Sequence, residues 1–245
     1  STEITRAARK AALFPAPIKT KQFALYHVNI DWEALARQQG AFTVLDHEGT
    51  DIPTADFLAT GEADIAALLS ASASILGRDV PLHNALDFGC GVGRLTLPVA
   101  RRAQSVTAYD IAPTMLAHAR RNAEQAGLHN ITYTSTLPEA RFTFICSMLV
   151  FQYIPRRTGY ALIRALTRLL ASGGVALLHV MLAPRGEALR RYARFNRGAT
   201  QSDASCEYDN HRVLREVEAA AGRIAARFAA PVGDAAGAVF LVEKK

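Results

Sequence analysis

The alternation of short apolar runs with helical stretches beyond residue 84 restricts what this chain can fold into more than any other feature. Successive βαβ units and a mainly parallel sheet produce such an alternation. The apolar runs predict strands at 85–88, 105–109, 131–134, 142–147 and 175–181. The stretches between them predict helices at 94–103, 113–126 and 160–170. Later segments predict a helix at 213–221 and strands at 224–228 and 238–242.

The predicted fold is therefore a doubly wound α/β domain. Its sheet is mainly parallel and seven-stranded, and the last two strands form a terminal antiparallel hairpin. We expect the core domain to span residues 84–245, with a turn at 172–174 before the fifth strand. The polar, arginine-rich stretch at 182–209 has no clear period, and we expect a lid there, since substrate-binding loops occupy such places.

Residues 1–83 predict an N-terminal helical cap on this domain. Asp31 stands directly before an apolar-periodic stretch, as a helix N-cap does. In a second predicted helix, at 60–76, Ile65, Leu68 and Leu69 recur at helical spacing and form an apolar stripe. Because such a stripe must be buried, we expect this helix to pack on the core.

Charge and composition exclude several classes of protein. The net charge is +6 and the pI is about 9.5, but most of the excess is dispersed arginine, which favours solvated helix faces over nucleic-acid binding. The apolar runs are shorter than the roughly 20 residues that cross a bilayer, and no leader is recognisable. We therefore expect a cytoplasmic protein with no membrane contact. Scattered Cys90, Cys146 and Cys206 suggest neither a disulfide framework nor a metal site.

A glycine-rich turn between a predicted strand and helix carries the chemistry. Asp87 ends the strand, and Gly89, Gly91 and Gly93 follow it, so that backbone can approach a ligand closely. In a parallel sheet such a turn lies at the ligand crevice. Asp110 ends the next strand, where an acid can accept hydrogen bonds from both hydroxyls of a ribose.

The composition of this turn discriminates between cofactors. Arg94 stands where the dinucleotide fingerprint requires a third glycine, which makes NAD the second choice. The turn also lacks the GK[ST] ending that cradles a triphosphate.

Four segments resemble the signature motifs of the S-adenosylmethionine-dependent methyltransferases with a Rossmann-like fold. They occur in the order of that family's motifs, at 87–96, 109–116, 144–155 and 169–174. The resemblance covers roughly residues 84–182. It implies that the cofactor is S-adenosylmethionine.

The resemblance also implies roles for individual residues. Those expected to contact the methionine and ribose portions are Gly89, Cys90, Gly91 and Gly93, with Asp87 at the amino end and Asp110 at the ribose hydroxyls. Ile111 and Met115 would sandwich the adenine, and Ser135 or Thr136 would approach its exocyclic amine. Ser147 and Met148 would face the reacting end. The family often carries an acid where this chain has Ser135 and neighbouring threonines, so the chain departs from the pattern there.

The sulfonium cofactor carries an activated methyl group, so the protein mainly has to align an acceptor and exclude water. An amine acceptor needs only to be neutral, whereas a hydroxyl benefits from a general base. Tyr153, in the fourth-strand motif, and His179, at the end of the fifth strand, are the candidates. His179 lies in an apolar run, where a packed core histidine is the competing interpretation. Aromatic residues of the cap (Trp32, Phe42, Phe57) could wall the acceptor site, although packing of the cap is the favoured interpretation.

Three functional hypotheses follow. The first is methyl transfer to a hydroxyl or amine of a small molecule or a sugar-containing metabolite. The second is methylation of nucleic acid, which no recognisable RNA-binding module supports. The third is a non-catalytic binding or scaffold protein that retains the fold. Nothing in the sequence indicates the oligomeric state.

Overall fold

A computed structural model describes residues 31–39, 54–183, 207–230 and 236–245 of the chain. Its helices are α1 Trp32–Gln39, α2 Thr54–Leu76, α3 Thr96–Ala100, α4 Pro113–Gln125, α5 Arg156–Leu169 and α6 Asn210–Glu218. Its strands are β1 Asn84–Phe88, β2 Ser105–Tyr109, β3 Ile131–Thr134, β4 Phe142–Ser147, β5 Leu170–Met181, β6 Gly222–Ala229 and β7 Gly237–Lys244. A short 3-10 turn, Phe151–Tyr153, follows β4.

The strands form one seven-stranded sheet in the order β3-β2-β1-β4-β5-β7-β6. The first five strands of that order are parallel, and β7 pairs antiparallel with both β5 and β6. The doubly wound α/β fold with a terminal antiparallel hairpin is thus confirmed. Since β1 is central and its neighbours β2 and β4 run parallel to it, the carboxyl ends of all three strands lie at one edge of the sheet.

Three expected boundaries are wrong. The helix predicted at 60–76 begins earlier, at Thr54. The predicted helix at 94–103 is only Thr96–Ala100, because tight turns precede it and Arg101 ends it. The expected turn at 172–174 lies instead within β5, which begins at Leu170 and pairs with Phe142 there. Gly173 accommodates the irregular pairing with a φ of 71°.

Capping chemistry explains where several helices begin and end. The Asp31 carboxylate accepts a hydrogen bond from Ala34 N at 2.9 Å, as expected at the start of α1. Asp209 caps α6 in the same way, through Arg212 N at 2.8 Å. Pro113 is the first residue of α4, where its missing N–H costs nothing.

The two described cap helices pack on the sheet domain. Ile65 and Leu68 of α2 are fully buried in one cluster with Val239 and Leu241 of β7, as the apolar stripe predicts. The boundary at residue 84 stays a prediction. Residues 184–206, which hold most of the expected lid, lie outside the described residues.

No helix in the described part of the chain is long and apolar enough to cross a membrane. The cytoplasmic location stays a prediction.

Candidate functional site

The glycine-rich turn after β1 is fastened to the end of β2. Gly89 N and Cys90 N both donate to Tyr109 O, at 2.8 and 2.9 Å, and Gly91 N donates to the Asp110 carboxylate at 2.8 Å. Gly89 and Gly91 have φ values of 78° and 52°, which glycine adopts without a steric penalty. At the carboxyl-end edge of the sheet, the exposed groups of this turn are therefore backbone atoms and not side chains.

Asp110 is fixed by hydrogen bonds to both of its oxygens. Besides the bond from Gly91, its second oxygen accepts one from Ala112 N at 2.9 Å. Burial raises the pKa of this carboxyl, while the backbone bonds oppose that rise. Each carboxylate oxygen has two lone pairs, so each can accept one further hydrogen bond from a ligand hydroxyl.

Asp87 is a buried carboxyl beneath the turn. Thr96 Oγ1 donates to it at 2.6 Å, and the Cys146 thiol lies 3.5 Å from its other oxygen. Burial raises its pKa to about 6. Burial also raises the pKa of the Cys90 and Cys146 thiols, which therefore stay protonated and are not nucleophiles.

A second turn, after β4, faces the first one. Leu149 adopts a φ of 62°, a left-handed conformation that is uncommon for a residue other than glycine. Its N–H donates to His179 Nδ1 at 3.3 Å, and His179 Nε2 lies 3.0 Å from Ala230 O. A carbonyl can only accept, so His179 is neutral with its hydrogen on Nε2, and burial lowers its pKa accordingly.

The two turns enclose a cavity of about 490 Å³. Asp110, Ile111 and Met115 belong to its wall, and Ile111 is 66% exposed. The rest of the wall is mostly apolar and includes residues of the second turn and of α5, among them Val150, Ile154 and Leu162.

The cap completes this cavity with Trp32 and Phe57. Glu33 of α1 accepts hydrogen bonds from Thr114 N at 3.0 Å and Thr114 Oγ1 at 2.7 Å, which ties α1 to the start of α4. The same bonds lower the pKa of Glu33. The Trp32 and Tyr153 rings meet edge to face, with centroids 4.7 Å apart. Trp32 and Phe57 thus pack on the core and line the cavity at once, while Phe42 lies outside the described residues.

The structure brings most of the sequence-predicted site residues into this wall. Those that line it are Asp87, Gly89, Cys90, Gly91, Asp110, Ile111, Met115, Met148 and Tyr153. The others lie outside the wall: Gly93, Ser135, Thr136, Ser147 and His179.

Each residue outside the wall has a local environment that accounts for its position. Gly93 packs against Ala119 of α4, and a Cβ there would lie 3.3 Å from the Ala119 methyl. Ser135 and Thr136 are exposed, and Thr136 N bonds to Thr134 Oγ1. Ser147 is fully buried, and its hydroxyl has no partner among the described residues. His179 is 2% exposed behind Leu149. The cofactor and catalytic roles of these residues stay predictions.

Sequence reasoning missed Leu149, Thr158 and Leu162 as wall residues. Nothing local in the sequence marks Leu149, because its left-handed conformation has no glycine or asparagine to signal it. Thr158 and Leu162 are four residues apart and share one face of α5, so their spacing could have identified them. Among the described residues, no three His, Cys, Asp or Glu side chains are grouped as a metal site requires.

Comparisons with known proteins agree with this geometry. Residues 85–174 match the family described as "Methyltransferase domain". A ubiquinone biosynthesis O-methyltransferase from Methylocella silvestris is 38% identical over 96 residues, which are 37% of this chain and 36% of that protein. A 23S rRNA (uracil(1939)-C(5))-methyltransferase from Salmonella choleraesuis is 46% identical over 48 residues, 20% of this chain and 11% of that protein. The chain thus spans only about a third or less of these curated relatives.

Solved structures extend the similarity over more of the fold. Magnesium protoporphyrin IX methyltransferase from Synechocystis PCC 6803, with bound SAH, superposes with a TM-score of 0.63 at 16% identity. The match covers 86% of this chain and 94% of that one. At this identity the likeness shows the fold. The matched domain over residues 85–174 and this shared fold agree with the resemblance to the S-adenosylmethionine-dependent methyltransferases.

Proposed function

We propose that this protein transfers a methyl group from S-adenosylmethionine to a hydroxyl or amine of a small molecule or sugar-containing metabolite. One observation carries the proposal. One cavity is lined both by the glycine turn with Asp110 and by apolar and aromatic side chains of the cap, the second turn and α5. A cofactor and an acceptor can therefore lie side by side in it. The name of the Methylocella relative, an O-methyltransferase, supports a hydroxyl acceptor.

The glycine turn and the residues around Asp110 fit the cofactor. The remaining lone pairs of Asp110 can accept both ribose hydroxyls, and Gly89 and Gly91 leave the backbone open to close approach. Ile111 and Met115 offer apolar surface for a planar adenine. Asp87 lies below the turn, where a carboxylate favours the cationic amino end.

When bound, S-adenosylmethionine supplies a methyl group activated by the sulfonium. The protein then has to hold the acceptor in line and keep water out. The apolar side chains of Val150, Ile154 and Leu162 offer water no hydrogen-bond partner along their part of the wall.

Of the two candidate bases, Tyr153 lies in the wall, and His179 lies behind it with both nitrogens engaged. We therefore assign Tyr153 to orienting the acceptor. We assign His179 to positioning Leu149.

Calorimetric titration with S-adenosylmethionine and, separately, NAD tests the proposal. We expect only S-adenosylmethionine to bind, and Asp110→Ala to weaken binding by about 100-fold or more, because two charge-assisted hydrogen bonds are lost. Glu218→Ala is the matched control, since it removes an exposed carboxylate at the end of α6. Binding of NAD alone, or equal binding by Asp110→Ala and wild type, would overturn the assignment.

A further inference from the structure

Three of the aromatic rings that line the cavity come from the cap and from the turn after β4. Trp32 comes from α1, Phe57 from α2 and Tyr153 from the turn after β4, so three separate segments each contribute one ring. We propose, on the basis of the function proposed above, that the acceptor is a molecule that places a planar aromatic ring against Trp32, Phe57 and Tyr153.

Among the described residues, the wall offers an anionic acceptor no unpaired positive charge. Its charged side chains among the described residues are Asp87, Arg94 and Asp110. Arg94 forms a salt bridge with Asp64 at 2.5 Å, in which both side chains are largely buried. Asp87 is bound by Thr96, and Asp110 is bound by two backbone N–H groups. An anionic acceptor would therefore lose its hydration without gaining an unpaired counter-ion from the described residues.

Aromatic geometry favours a ring over a flexible chain. Trp32 and Tyr153 meet edge to face at an interplanar angle of 71°, an arrangement that a third ring can extend. Arg94 lies over the Phe57 ring, 5.8 Å from its centroid, which holds that ring in place. A rigid ring gains stacking contacts with these side chains and loses little conformational entropy, whereas an acyl chain must freeze several torsions.

The rings are held in position before any ligand binds. Glu33, the neighbour of Trp32, bonds to the backbone and hydroxyl of Thr114 at the start of α4. Thr60, three residues beyond Phe57, lies 3.3 Å from the Arg94 guanidinium. Such preorganisation increases affinity for a ligand whose shape already matches.

The chain contains one tryptophan, so a single indole N–H resonance reports on Trp32. The experiment adds 2-naphthol or its saturated analogue, decahydro-2-naphthol, to the protein loaded with S-adenosylhomocysteine, and measures both affinity and the Trp32 resonance. We expect 2-naphthol to bind at least about tenfold more tightly than the analogue, because it gains one or two aromatic ring contacts. We also expect 2-naphthol to shift the Trp32 resonance.

Variants separate ring stacking from general packing. In Tyr153→Leu, the affinities for 2-naphthol and its saturated analogue should differ by no more than about twofold. Tyr153→Phe should keep the wild-type preference, because it retains the ring. Phe57→Leu is a second test in another segment. Binding of S-adenosylhomocysteine by each variant shows that the site is folded. Equal affinity for the two compounds in the wild type, or a preference that survives Tyr153→Leu and Phe57→Leu together, overturns the proposal. Failure of the wild type to bind S-adenosylhomocysteine would instead contradict the proposed function.

Discussion

The two turns that face each other across the cavity are built in different ways. The turn after β1 reaches left-handed conformations through Gly89, Gly91 and Gly93, and its amides bond to the end of β2. The turn after β4 reaches the same region of φ at Leu149, which has a side chain. A buried histidine, His179, holds that residue in place.

This difference separates two ways of shaping a binding site. Glycine removes the steric penalty itself, so the first turn is specified by its local sequence. The second turn retains a penalty of roughly 1–2 kcal/mol, which contacts with a distant strand must offset. We therefore expect the first turn to be sensitive to added bulk, and the second to be sensitive to the loss of its distant support.

Gly89→Ala should give the largest effect. A Cβ there would lie 2.3 Å from a methyl of Val150, on the second turn, and the φ of 78° adds backbone strain. We expect the free energy of unfolding to fall by about 3 kcal/mol or more, and cofactor binding to be lost. Urea denaturation and calorimetry measure both effects.

Gly127→Ala is the control for this substitution. Gly127 has a similar φ of 67°, but no atom lies within 4 Å of its Cβ position. Gly127→Ala should therefore lower the free energy of unfolding by about 1 kcal/mol, which is the cost of the backbone strain alone. Adding Val150→Ala to Gly89→Ala should recover part of the loss. Equal losses at the two glycines would show that the turns are not in steric contact.

The turns should also respond to pH in opposite directions. The pKa of Asp87, under the first turn, is raised from 3.8 to about 6, so the folded protein binds the proton more tightly than the unfolded chain. The contribution of Asp87 to the free energy of unfolding is fully present below about pH 4. It is lost as the pH rises through 6, by up to about 3 kcal/mol. The pKa of His179 is lowered from 6.5, so the folded protein favours the neutral imidazole. The contribution of His179 to stability is therefore present above pH 6.5 and is lost as the pH falls.

Asp87→Asn tests the larger of these two contributions. It keeps an oxygen that can accept the Thr96 hydrogen bond but removes the titration. Unfolding measured in urea from pH 4 to pH 7 should show a smaller decrease in stability for the variant than for wild type. The same pH profile in both proteins would mean that Asp87 does not titrate in that interval.

The sequence predicts the first turn far better than the second. The glycines and Asp110 each stand in a recognisable motif, the first after β1 and the second at the end of β2. His179 appeared only as a candidate base or a core residue, because its contact with Leu149 joins positions 30 residues apart. Its role depends on β5 lying beside β4, a tertiary arrangement that no local pattern contains. Ser147 shows the same limit, since its burial could not be read from its motif.

Substitution of His179 tests the support of the second turn. Asn retains an acceptor near the position of Nδ1, for Leu149 N, and Gln retains a donor near Nε2, for Ala230 O. We expect each to lower the free energy of unfolding by about 1–3 kcal/mol, since each leaves one buried backbone group unpaired.

Cofactor affinity distinguishes the two variants. Because Leu149 lines the cavity and Ala230 does not, His179→Asn should bind S-adenosylhomocysteine more tightly than His179→Gln. Stronger binding by His179→Gln would show that the bond to Leu149 does not shape the site.

The smallest effect concerns the backbone strain at Leu149 itself. At an ordinary position alanine is preferred to glycine, but at a φ of 62° the order should reverse. Leu149→Gly should therefore be more stable than Leu149→Ala by about 1 kcal/mol, because both lose the side chain and only alanine retains the strain. Ala221, with a φ of 57° and no part in the cavity, provides the control, and Ala221→Gly should be stabilising by a similar amount. If glycine is favoured over alanine at 221 and not at 149, the hydrogen bond from Leu149 N to His179 needs a geometry that a Cβ at residue 149 maintains, and the second turn depends on that Cβ as well as on its distant support.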